Sequence, residues 1–416
     1  FIGHNIPFYW TYFHYYYKFH IKRNYVINTE IKHNDIMKIL FIGARLFNEV
    51  ANFVKSKGIE TILTESNPYS PNLDLADEYH IVPRGMEKPK EIALSNDVDA
   101  VIPLIGIDKP LPEVAVMKEE LEKNHDLPVV ASGNRATEIS TDKYQTKKFL
   151  AENKIKTPVY AEITKDQYNK GSEKIDYPVV LKQQEGQGGV GVKIALSPDD
   201  LTEYLELYPQ AMMEEYVNGA EISVEVLRWN NKSVPLVSVY KGETTLIGTH
   251  PLEKTRCAPV NIEYLDNQDL RMYAKKIIDR LDTNGTAEVE FIYDPEKREL
   301  NTLEINTRPS GTRFLTFCAS NINPLHQLVN MATGEWNPQK IEREIRDYCA
   351  LEMPLPPESL SRNPQFRNAE NQKKQSLTLE KPYIIHGPEK ASRITIRSQD
   401  MNESLKIIKN LKVIDK

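Results

Sequence analysis

The sequence has few cysteines and no long apolar run. Only three of its 416 residues are cysteines, Cys257, Cys318 and Cys349, and no C-x-x-C spacing occurs. A disulfide framework or a zinc site is therefore not expected, and a reducing cytoplasm is the predicted location. Because no run of about 18 apolar residues occurs, we expect no membrane-spanning helix and no membrane partner.

Two glycine fingerprints and an excess of positive charge are also missing. Gly43 follows the first apolar run but starts no G-x-G-x-x-G pattern, which disfavours a dinucleotide site and a nicotinamide oxidoreductase. A Walker A loop is absent as well. The formal net charge is −6, so the sequence lacks the basic footprint of a dedicated nucleic-acid binder, and no nucleic-acid partner is predicted.

Residues 1–36 differ from the rest of the chain in composition. Aromatic residues crowd there between His and Lys, without the basic start and clean apolar stretch of a secretory signal. Met37 stands directly before the first strand-like run. We predict that 1–36 is a disordered or non-native extension; an aromatic interaction segment or membrane-surface segment is the alternative.

Periodicity then predicts α/β and α+β organisation. The runs 38–44, 59–65, 97–106 and 127–133 have strand character, and the segments between the first two runs and between the last two have helical character, which indicates a Rossmann-like parallel α/β domain. A helix is expected over 140–158, with Ser140 or Thr141 near its N-cap. Further strands and helices follow, and 354–375 has the composition of a linker. The predicted units are 37–135, 136–212, 213–345 and a small C-terminal α+β module at 346–416.

A lysine followed by closely spaced glycines is the strongest local motif. Lys182 ends an apolar run, and Gly186, Gly188, Gly189 and Gly191 come soon after it. Glycines allow backbone N–H groups to approach phosphate oxygens, and the lysine supplies the matching charge. A β-hairpin turn explains the glycines equally well.

Carboxylates occur at the end of a second apolar run. Glu214 and Glu215 follow Met212 and Met213, and Val217 and Glu221 come next. Apolar walls with a nearby carboxylate suit a purine nucleoside, although a solvated acidic turn is the simpler interpretation of this motif alone.

Two further strands alternate acidic and apolar residues. Glu288 and Glu290 share one face of the first strand, and Glu304, Asn306 and Arg308 share one face of the second. If Glu290 lies opposite Glu304 and Asn306, these oxygens form a site for a hard cation such as Mg²⁺. Arg308 on the same face could hold a phosphate or carboxylate. A water-facing strand is the alternative.

These motifs, in this order and with Asp142-Lys143 upstream, resemble the ATP-grasp superfamily over about 140–330. The branch that contains the carbamoyl-phosphate synthase large subunit and biotin carboxylase is the most similar. The resemblance implies an ATP-grasp fold, preceded by the Rossmann-like domain and followed by the C-terminal module. It also implies an ATP- and Mg²⁺- (or Mn²⁺-) dependent ligase that activates a carboxylate as an acyl phosphate and joins it to an amine.

The resemblance also implies roles for individual residues. Lys143 and Lys182 correspond to the basic residues on the ATP phosphates, and 186–191 to the loop that covers them. Glu214, beside Glu215, and Val217 correspond to the adenine-contacting positions, and Glu221 to the ribose-binding carboxylate. Glu290, Glu304 and Asn306 correspond to the metal ligands, with Arg308 near the transferred phosphoryl group. Gln183, Gln184 and Glu185 depart from the small residues usual in the family.

Other features bear on substrates and partners. Candidate substrate-binding residues are Asp108, His250, Lys254, Arg256 and Arg313, and loop 246–258 does not reproduce the bicarbonate pattern of biotin carboxylase in full. Small-molecule carboxylate and amine substrates are expected, and a homodimer is possible by analogy. The alternatives are a bicarbonate-activating or carbamoyl-phosphate-type enzyme and a non-catalytic ATP-binding regulatory protein.

Overall fold

The computed structural model describes residues 36–166, 175–186, 188–246, 253–362, 377, 381–387 and 391–413. The predicted extension 1–36 lies outside this part of the chain except for Ile36. Within the described residues, no helix has the length and apolar character needed to cross a bilayer. The three cysteines are free thiols, as expected from their number and spacing.

The first sheet is built from four parallel strands in the order β3-β2-β1-β4. Its elements are β1 (Lys38–Ile42), α1 (Ala51–Ser56), β2 (Glu60–Glu65), β3 (Glu78–Ile81), α2 (Glu87–Ser95), β4 (Ala100–Pro103) and α3 (Leu111–His125). This confirms the predicted parallel α/β arrangement. The run 127–133 forms only one isolated bridge, between Val129 and Val101, so its expected full strand was wrong.

Two helices rather than one connect the first sheet to the next. Helix α4 (Asn134–Thr141) ends where α5 (Lys143–Glu152) begins. The Asp142 carboxylate accepts hydrogen bonds from the backbone N–H of Tyr144 at 2.8 Å and Gln145 at 3.1 Å. Asp142 is therefore the N-cap of α5, and the predicted capping by Ser140 or Thr141 was wrong because those residues still belong to α4.

A small antiparallel sheet follows, in the order β5-β8-β6-β7. Its elements are β5 (Tyr160–Thr164), β6 (Val179–Lys182), β7 (Lys193–Ala195), α6 (Pro198–Leu207) and β8 (Gln210–Glu215). Ser197 caps α6 by accepting the N–H of Asp200. The apolar face of α6 packs on the sheet through Leu201, Tyr204 and Leu205, which leaves the opposite sheet face to Lys182 and Glu214.

The largest sheet has eight strands in the order β13-β12-β9-β10-β11-β14-β16-β15, all paired antiparallel. Its strands are β9 (Ala220–Trp229), β10 (Lys232–Glu243), β11 (Arg256–Ala258), β12 (Gly285–Asp294), β13 (Glu299–Asn306), β14 (Cys349–Pro354), β15 (Tyr383–His386) and β16 (Arg393–Ser398). The strands of the predicted C-terminal module therefore continue this sheet.

Helices cover the large sheet. They are α7 (Asn267–Leu281), α8 (Arg313–Ser320), α9 (Pro324–Ala332), α10 (Pro338–Glu344), α11 (Pro357–Arg362) and α12 (Met401–Asn410). The amphipathic helix α7 buries Leu270, Ala274 and Ile278 against β9 and β12. Strand β12 is thereby held firmly on one face, and its other face carries the acidic residues.

Candidate active site

Acidic and amide side chains face one another across strands β12 and β13. Glu290 is the cross-strand partner of Glu304, and Glu288 is the partner of Asn306. A register shift follows Glu290, so that Leu303 is the extra residue on β13. The predicted juxtaposition of Glu290 with Glu304 and Asn306 is confirmed; their role as metal ligands stays a prediction.

Both oxygens of Glu290 already have partners. The Lys241 ammonium lies 2.6 Å from Oε2, and the Asn306 amide donates to Oε1 at 3.2 Å. Glu288 is buried and accepts from the hydroxyl of Thr312 at 2.9 Å. Burial alone would raise the pKa of Glu288, but Lys241 holds it below the usual value. Lys241 thus neutralises this part of the cluster.

A second charged cluster joins the small sheet to helix α5. Glu214 is buried between two lysines, with Lys147 at 2.6 Å and Lys182 at 2.5 Å. Burial would raise the pKa of Glu214, but the two ammonium groups hold it at about 2. Burial alone would lower the pKa of Lys182. The negative charges of Glu214 and, to a smaller extent, Glu304 outweigh burial and raise that pKa. Lys182 therefore lies within electrostatic range of Glu304, one of the predicted metal ligands.

The glycine-rich segment lies beside the start of α5. The Lys143 ammonium donates to the carbonyl of Gly186 at 2.7 Å. Gly186, Gly188, Gly189 and Gly191 all have positive φ. At Gly191, with φ of +70°, an added Cβ would also come within 2.8 Å of the Gln183 side chain, so a larger residue is disfavoured there twice over.

A small cavity of about 10 Å³ lies among some of these groups. It is bordered by residues from the loop after β4, both connecting helices, the small sheet and the loop that follows β6, and β13: Asp108, Ser140, Thr141, Lys143, Thr146, Gly186, Met212, Leu303, Glu304 and Asn306. A lysine, a glycine of the glycine-rich segment and hard oxygen donors thus meet at one place, as the predicted metal–nucleotide site requires.

The predicted nucleoside residues form a line along the end of the small sheet and the start of β9. Glu215 pairs with Lys297 at 3.0 Å near the surface, and Val217 is buried with its carbonyl accepting from Thr244. Glu221 pairs with Lys254 at 2.8 Å. Glu214 differs from these three residues, because its carboxylate is enclosed by Lys147 and Lys182.

The predicted substrate residues separate into two groups. Asp108 lines the cavity and contacts Arg308, and Lys254 reaches Glu221. Arg256 and Arg313 instead lie in buried ion pairs, with Glu352 and Glu49 respectively. Neither of these two arginines lines the cavity. His250 lies outside the described residues.

Two functional candidates were missed in the sequence. Lys147 has a signal, because it lies one turn from Leu150 on the buried face of α5 and four residues after Lys143. For Lys241 the sequence gives only a weak indication, namely its position at the end of the apolar part of β10. Lys147 is buried and Lys241 is largely covered, and such lysines are rarely found without a partner.

The predicted donor set is suited to an open divalent-cation site and is not a closed cage of carboxylates. Within the described part of the chain, no group of three His, Cys, Asp or Glu side chains is arranged to hold an ion. The predicted set has two carboxylates and one amide, all hard oxygen donors, and leaves coordination positions for phosphate oxygens. Surrounding carboxylates and cations largely balance one another, so a bound triphosphate needs additional positive charge.

Comparisons with known proteins agree with this geometry. Residues 142–339 match the family described as carbamoyl-phosphate synthase L chain, ATP binding domain, and 39–130 match the PylC-like N-terminal domain. A protein of Methanobrevibacter smithii named carbamoyl-phosphate synthase is 43% identical over 375 residues, which cover 90% of this chain and 100% of that relative. The chain spans only 26% and 28% of two carbamoyl phosphate synthase large chains that it also matches.

Solved structures share the fold at low identity. An ADP complex of N5-carboxyaminoimidazole ribonucleotide synthetase superposes with a TM-score of 0.71 at 18% identity, over 91% of this chain and 96% of the other. Biotin carboxylase from Campylobacter jejuni gives a TM-score of 0.70 at 18% identity, over 91% of both chains. The chain belongs to the carbamoyl-phosphate synthase-like branch of the ATP-grasp superfamily, the ATP-dependent carboxylate–amine ligases.

Proposed function

We propose that this protein phosphorylates a small carboxylate with Mg·ATP and joins the resulting acyl phosphate to an amine. The observation that carries the proposal is the convergence of Lys143, Gly186, Glu304 and Asn306 on one cavity, with Lys182 close to Glu304.

The nucleotide would lie between the small sheet and β13. In this proposal Lys143 and Lys182 bind phosphates, and 186–191 covers them. Glu215 and Val217 border the adenine, Glu221 binds the ribose, and Glu214 fixes Lys182 from behind. Glu221 must then exchange Lys254 for the ribose hydroxyls, which places Lys254 at the mouth of the nucleotide site.

Glu290, Glu304 and Asn306 would hold Mg²⁺ or Mn²⁺. The fit rests on their hard oxygens and on the cross-strand register that gathers them. When bound, the cation supplies charge neutralisation for the triphosphate and the transferred phosphoryl group. Glu290 would exchange the Lys241 ammonium, which lies 2.6 Å from its Oε2 atom, for the cation.

The side chains of this protein position and neutralise the reacting groups. A carboxylate oxygen of the substrate forms a bond to the γ-phosphorus while the bond to the bridging oxygen breaks, and ADP leaves. The amine nitrogen then attacks the acyl carbon, loses a proton and releases phosphate. Arg308, which donates to the Asn306 oxygen, is the proposed cation for the transferred group, together with Lys182.

Exclusion of water is needed between the two steps because an acyl phosphate is lost to hydrolysis. The proposed lid is 186–191, whose positive-φ glycines permit a conformation that other residues resist. The Lys143 contact with the Gly186 carbonyl attaches the first residue of this segment to α5. Phosphate binding by Lys143 would exchange that contact and so couple the lid to the nucleotide.

Bicarbonate is the second candidate substrate, because the 43% identical relative is named carbamoyl-phosphate synthase. Carboxyphosphate chemistry needs the same ATP and metal residues, so the two candidates differ only at the acceptor end of the site. A homodimer and a cytoplasmic location stay predictions.

The test is a screen for substrate-dependent phosphate release. Purified full-length protein with Mg·ATP is assayed against carboxylates and amines in pairs, with bicarbonate present and absent. We expect phosphate release that requires a carboxylate and rises when an amine is added. Release that depends only on bicarbonate selects the second candidate, and failure to bind Mg·ATP contradicts the proposal.

A further inference from the structure

A β-bulge on β10 places a lysine beside a predicted metal ligand. Tyr240 of β10 pairs with Ile222 of β9, and Gly242 pairs with Glu221, the residue before Ile222. Lys241 is therefore the extra residue on β10. Gly242 has a φ of +105°, a backbone conformation that favours glycine. Bulges of this kind redirect side chains and are common beside active sites.

The side chain of Lys241 extends across one strand to reach its partner. Strand β9 lies between β10 and β12. The Lys241 ammonium lies 2.6 Å from Oε2 of Glu290, and only 12% of the lysine side chain is exposed. The other Glu290 oxygen accepts from the Asn306 amide at 3.2 Å. Because water screens this contact weakly, the ammonium is a strong competitor for the Glu290 carboxylate.

Lys241 acts on a second carboxylate as well. Glu288 is buried on the same face of β12, two residues before Glu290. Burial would raise the pKa of Glu288, but the positive charge of Lys241 outweighs burial and lowers it. An ammonium that leaves Glu290 therefore still has a carboxylate within electrostatic range.

Both predicted carboxylate ligands of the metal are thus balanced by a lysine. Lys241 contacts Glu290, and Lys182 lies within electrostatic range of Glu304. A divalent cation that arrives alone has to displace an ammonium and adds two positive charges to a cluster that is already neutralised. A triphosphate brings the negative charge that compensates for both cations, and Mg²⁺ is commonly held by a few carboxylates together with phosphate oxygens.

A role in joining the strands does not account for this ion pair. Strands β10 and β12 each pair with β9 over Ala220–Arg228. Backbone hydrogen bonds therefore hold the three strands together without a contact between Lys241 and Glu290. The lysine instead lies where it competes with a cation for a ligand.

We propose that Lys241 is a counter-ion of the metal site that competes with a divalent cation for Glu290, so that the cation binds tightly only together with the triphosphate. This inference rests on the proposed ligase function and adds to it how the metal site is controlled. Lys241 is then a positioning residue, which acts through Glu290 and Glu288.

The experiment measures metal binding without nucleotide. Full-length protein is titrated with Mn²⁺, and the unbound ion is measured from its electron paramagnetic resonance signal. Lys241→Met is expected to bind Mn²⁺ about 10- to 100-fold more tightly than the wild type, as removal of a competing hydrogen bond between charged groups implies. Lys241→Arg keeps a cation at this position and should bind Mn²⁺ as weakly as the wild type.

Three further variants make the measurement specific. Lys241→Met combined with Glu288→Gln removes the lysine without leaving Glu288 as an unpaired buried charge, and it should also bind Mn²⁺ more tightly than the wild type. Adding Glu304→Ala to Lys241→Met should abolish the gain. Lys156→Met is the matched control, because it removes one ammonium from an exposed pair with Glu299. Its Mn²⁺ affinity should equal that of the wild type.

The outcomes separate the inference from the proposed function. Wild-type Mn²⁺ affinity in Lys241→Met overturns the counter-ion role, and the double variant with Glu288→Gln decides if Lys241→Met does not fold. An equal gain in Lys156→Met, or a gain that survives Glu304→Ala, overturns it too. In these cases calorimetric binding of Mg·ATP by the wild type leaves the ligase function standing. Failure of the wild type to bind Mg·ATP contradicts the proposed function itself.

Discussion

Lys147 connects the nucleotide-binding parts of the molecule at the scale of a single residue. Its ammonium contacts Glu214 and the hydroxyl of Thr157, which in turn donates to the backbone carbonyl of Thr302 on β13. Burial lowers the pKa of Lys147, and Glu214 opposes that shift. One side chain thus links α5, the small sheet and the strand that carries the predicted metal ligands.

Replacing Lys147 by Met should damage both stability and ATP binding. Glu214 would keep only Lys182, and breaking a buried ion pair costs about 3–5 kcal/mol in unfolding free energy. We also expect ATP affinity to fall about 10-fold, because Lys182 would be drawn toward Glu214. Urea unfolding and calorimetric titration with Mg·ATP measure the two effects.

Lys148→Met is the control for this prediction, since Lys148 is the next residue on α5 and is exposed. It should leave both quantities near the wild-type values. Equal losses in the two variants would show that the ammonium of Lys147 has no specific role.

Single-residue roles were predicted unevenly from the sequence. That Glu304 and Asn306 share one face of β13 follows from the period of two in a strand, whereas the register that sets Glu290 opposite Glu304 was only a hypothesis. The enclosure of Glu214 by two lysines was not predictable, because Lys147 comes from a helix and Lys182 from a strand far along the chain. Arg256 and Arg313 could not be separated from cavity residues, because their partners Glu352 and Glu49 are distant in sequence.

At the scale of the element, β9 carries a buried carboxylate, that of Glu225, for which no salt bridge is found within the described part of the chain. Glu225 accepts a hydrogen bond from Thr286 at 2.7 Å and is the cross-strand partner of Glu288. Burial raises the pKa of Glu225 from 4.5 to about 7, and Glu288 adds to the shift. The folded state therefore retains this proton where the unfolded chain has released it.

Glu225 should make the protein less stable as pH rises. Below about pH 4.5 the carboxyl is protonated in both states and its contribution is complete. Between about pH 4.5 and 7 the unfolded chain releases the proton first, so stability falls by an amount on the order of 3 kcal/mol. Glu225→Gln should remove this component, so its stability gain over wild type is larger at pH 8 than at pH 5.

Urea unfolding of wild type and variant at the two pH values measures this difference. Glu296→Gln, at an exposed turn position, is the control for loss of a carboxylate. A Glu225→Gln effect that is independent of pH would contradict the assignment of a raised pKa to this group.

Element boundaries depended on local chemistry that periodicity does not show. A helix was expected over 140–158, but it begins at Lys143 after the cap Asp142, and a separate helix, α4, precedes it. Gln184 next to the glycine segment departs from the family, and the structure gives it a partner, since its amide donates to Asp142 at 2.6 Å. That hydrogen bond ties the glycine segment to the cap of α5.

At the scale of the whole molecule, a buried ion pair joins the first sheet to the large sheet. Glu49 lies in a short turn after β1, and Arg313 begins α8. The Arg313 Nε atom donates to Glu49 at 2.8 Å, and His326 contacts the Glu49 carbonyl at 3.1 Å. Because both charges are largely buried, each depends on the other.

Arg313→Ala is therefore expected to lower the unfolding free energy by about 3–5 kcal/mol through the unpaired Glu49. Lys57→Ala, which removes an exposed pair with Glu335, should cost no more than about 1 kcal/mol. Denaturant unfolding measures both. A variant of Arg313 with wild-type stability and a raised substrate KM would instead restore its predicted role in substrate binding.

The order of units along the chain could be predicted, but the way that they join could not. Parallel βαβ periodicity gave the first sheet, and the alternating strands gave most of the large one. The pairing of β14 with β11, which continues the large sheet into the C-terminal segment, joins residues about 90 positions apart. Such pairing leaves no local pattern.

Glu304, on β13, is proposed to hold the cation beneath the ATP phosphates. The most direct measurement is substrate-dependent ADP release by Glu304→Ala beside Glu299→Ala, a change at the opposite end of β13 where Glu299 pairs with Lys156 near the surface. We predict that Glu304→Ala loses about 100-fold or more in turnover and binds Mg·ATP poorly, while Glu299→Ala stays near wild type. Unchanged ADP release by Glu304→Ala would contradict the account.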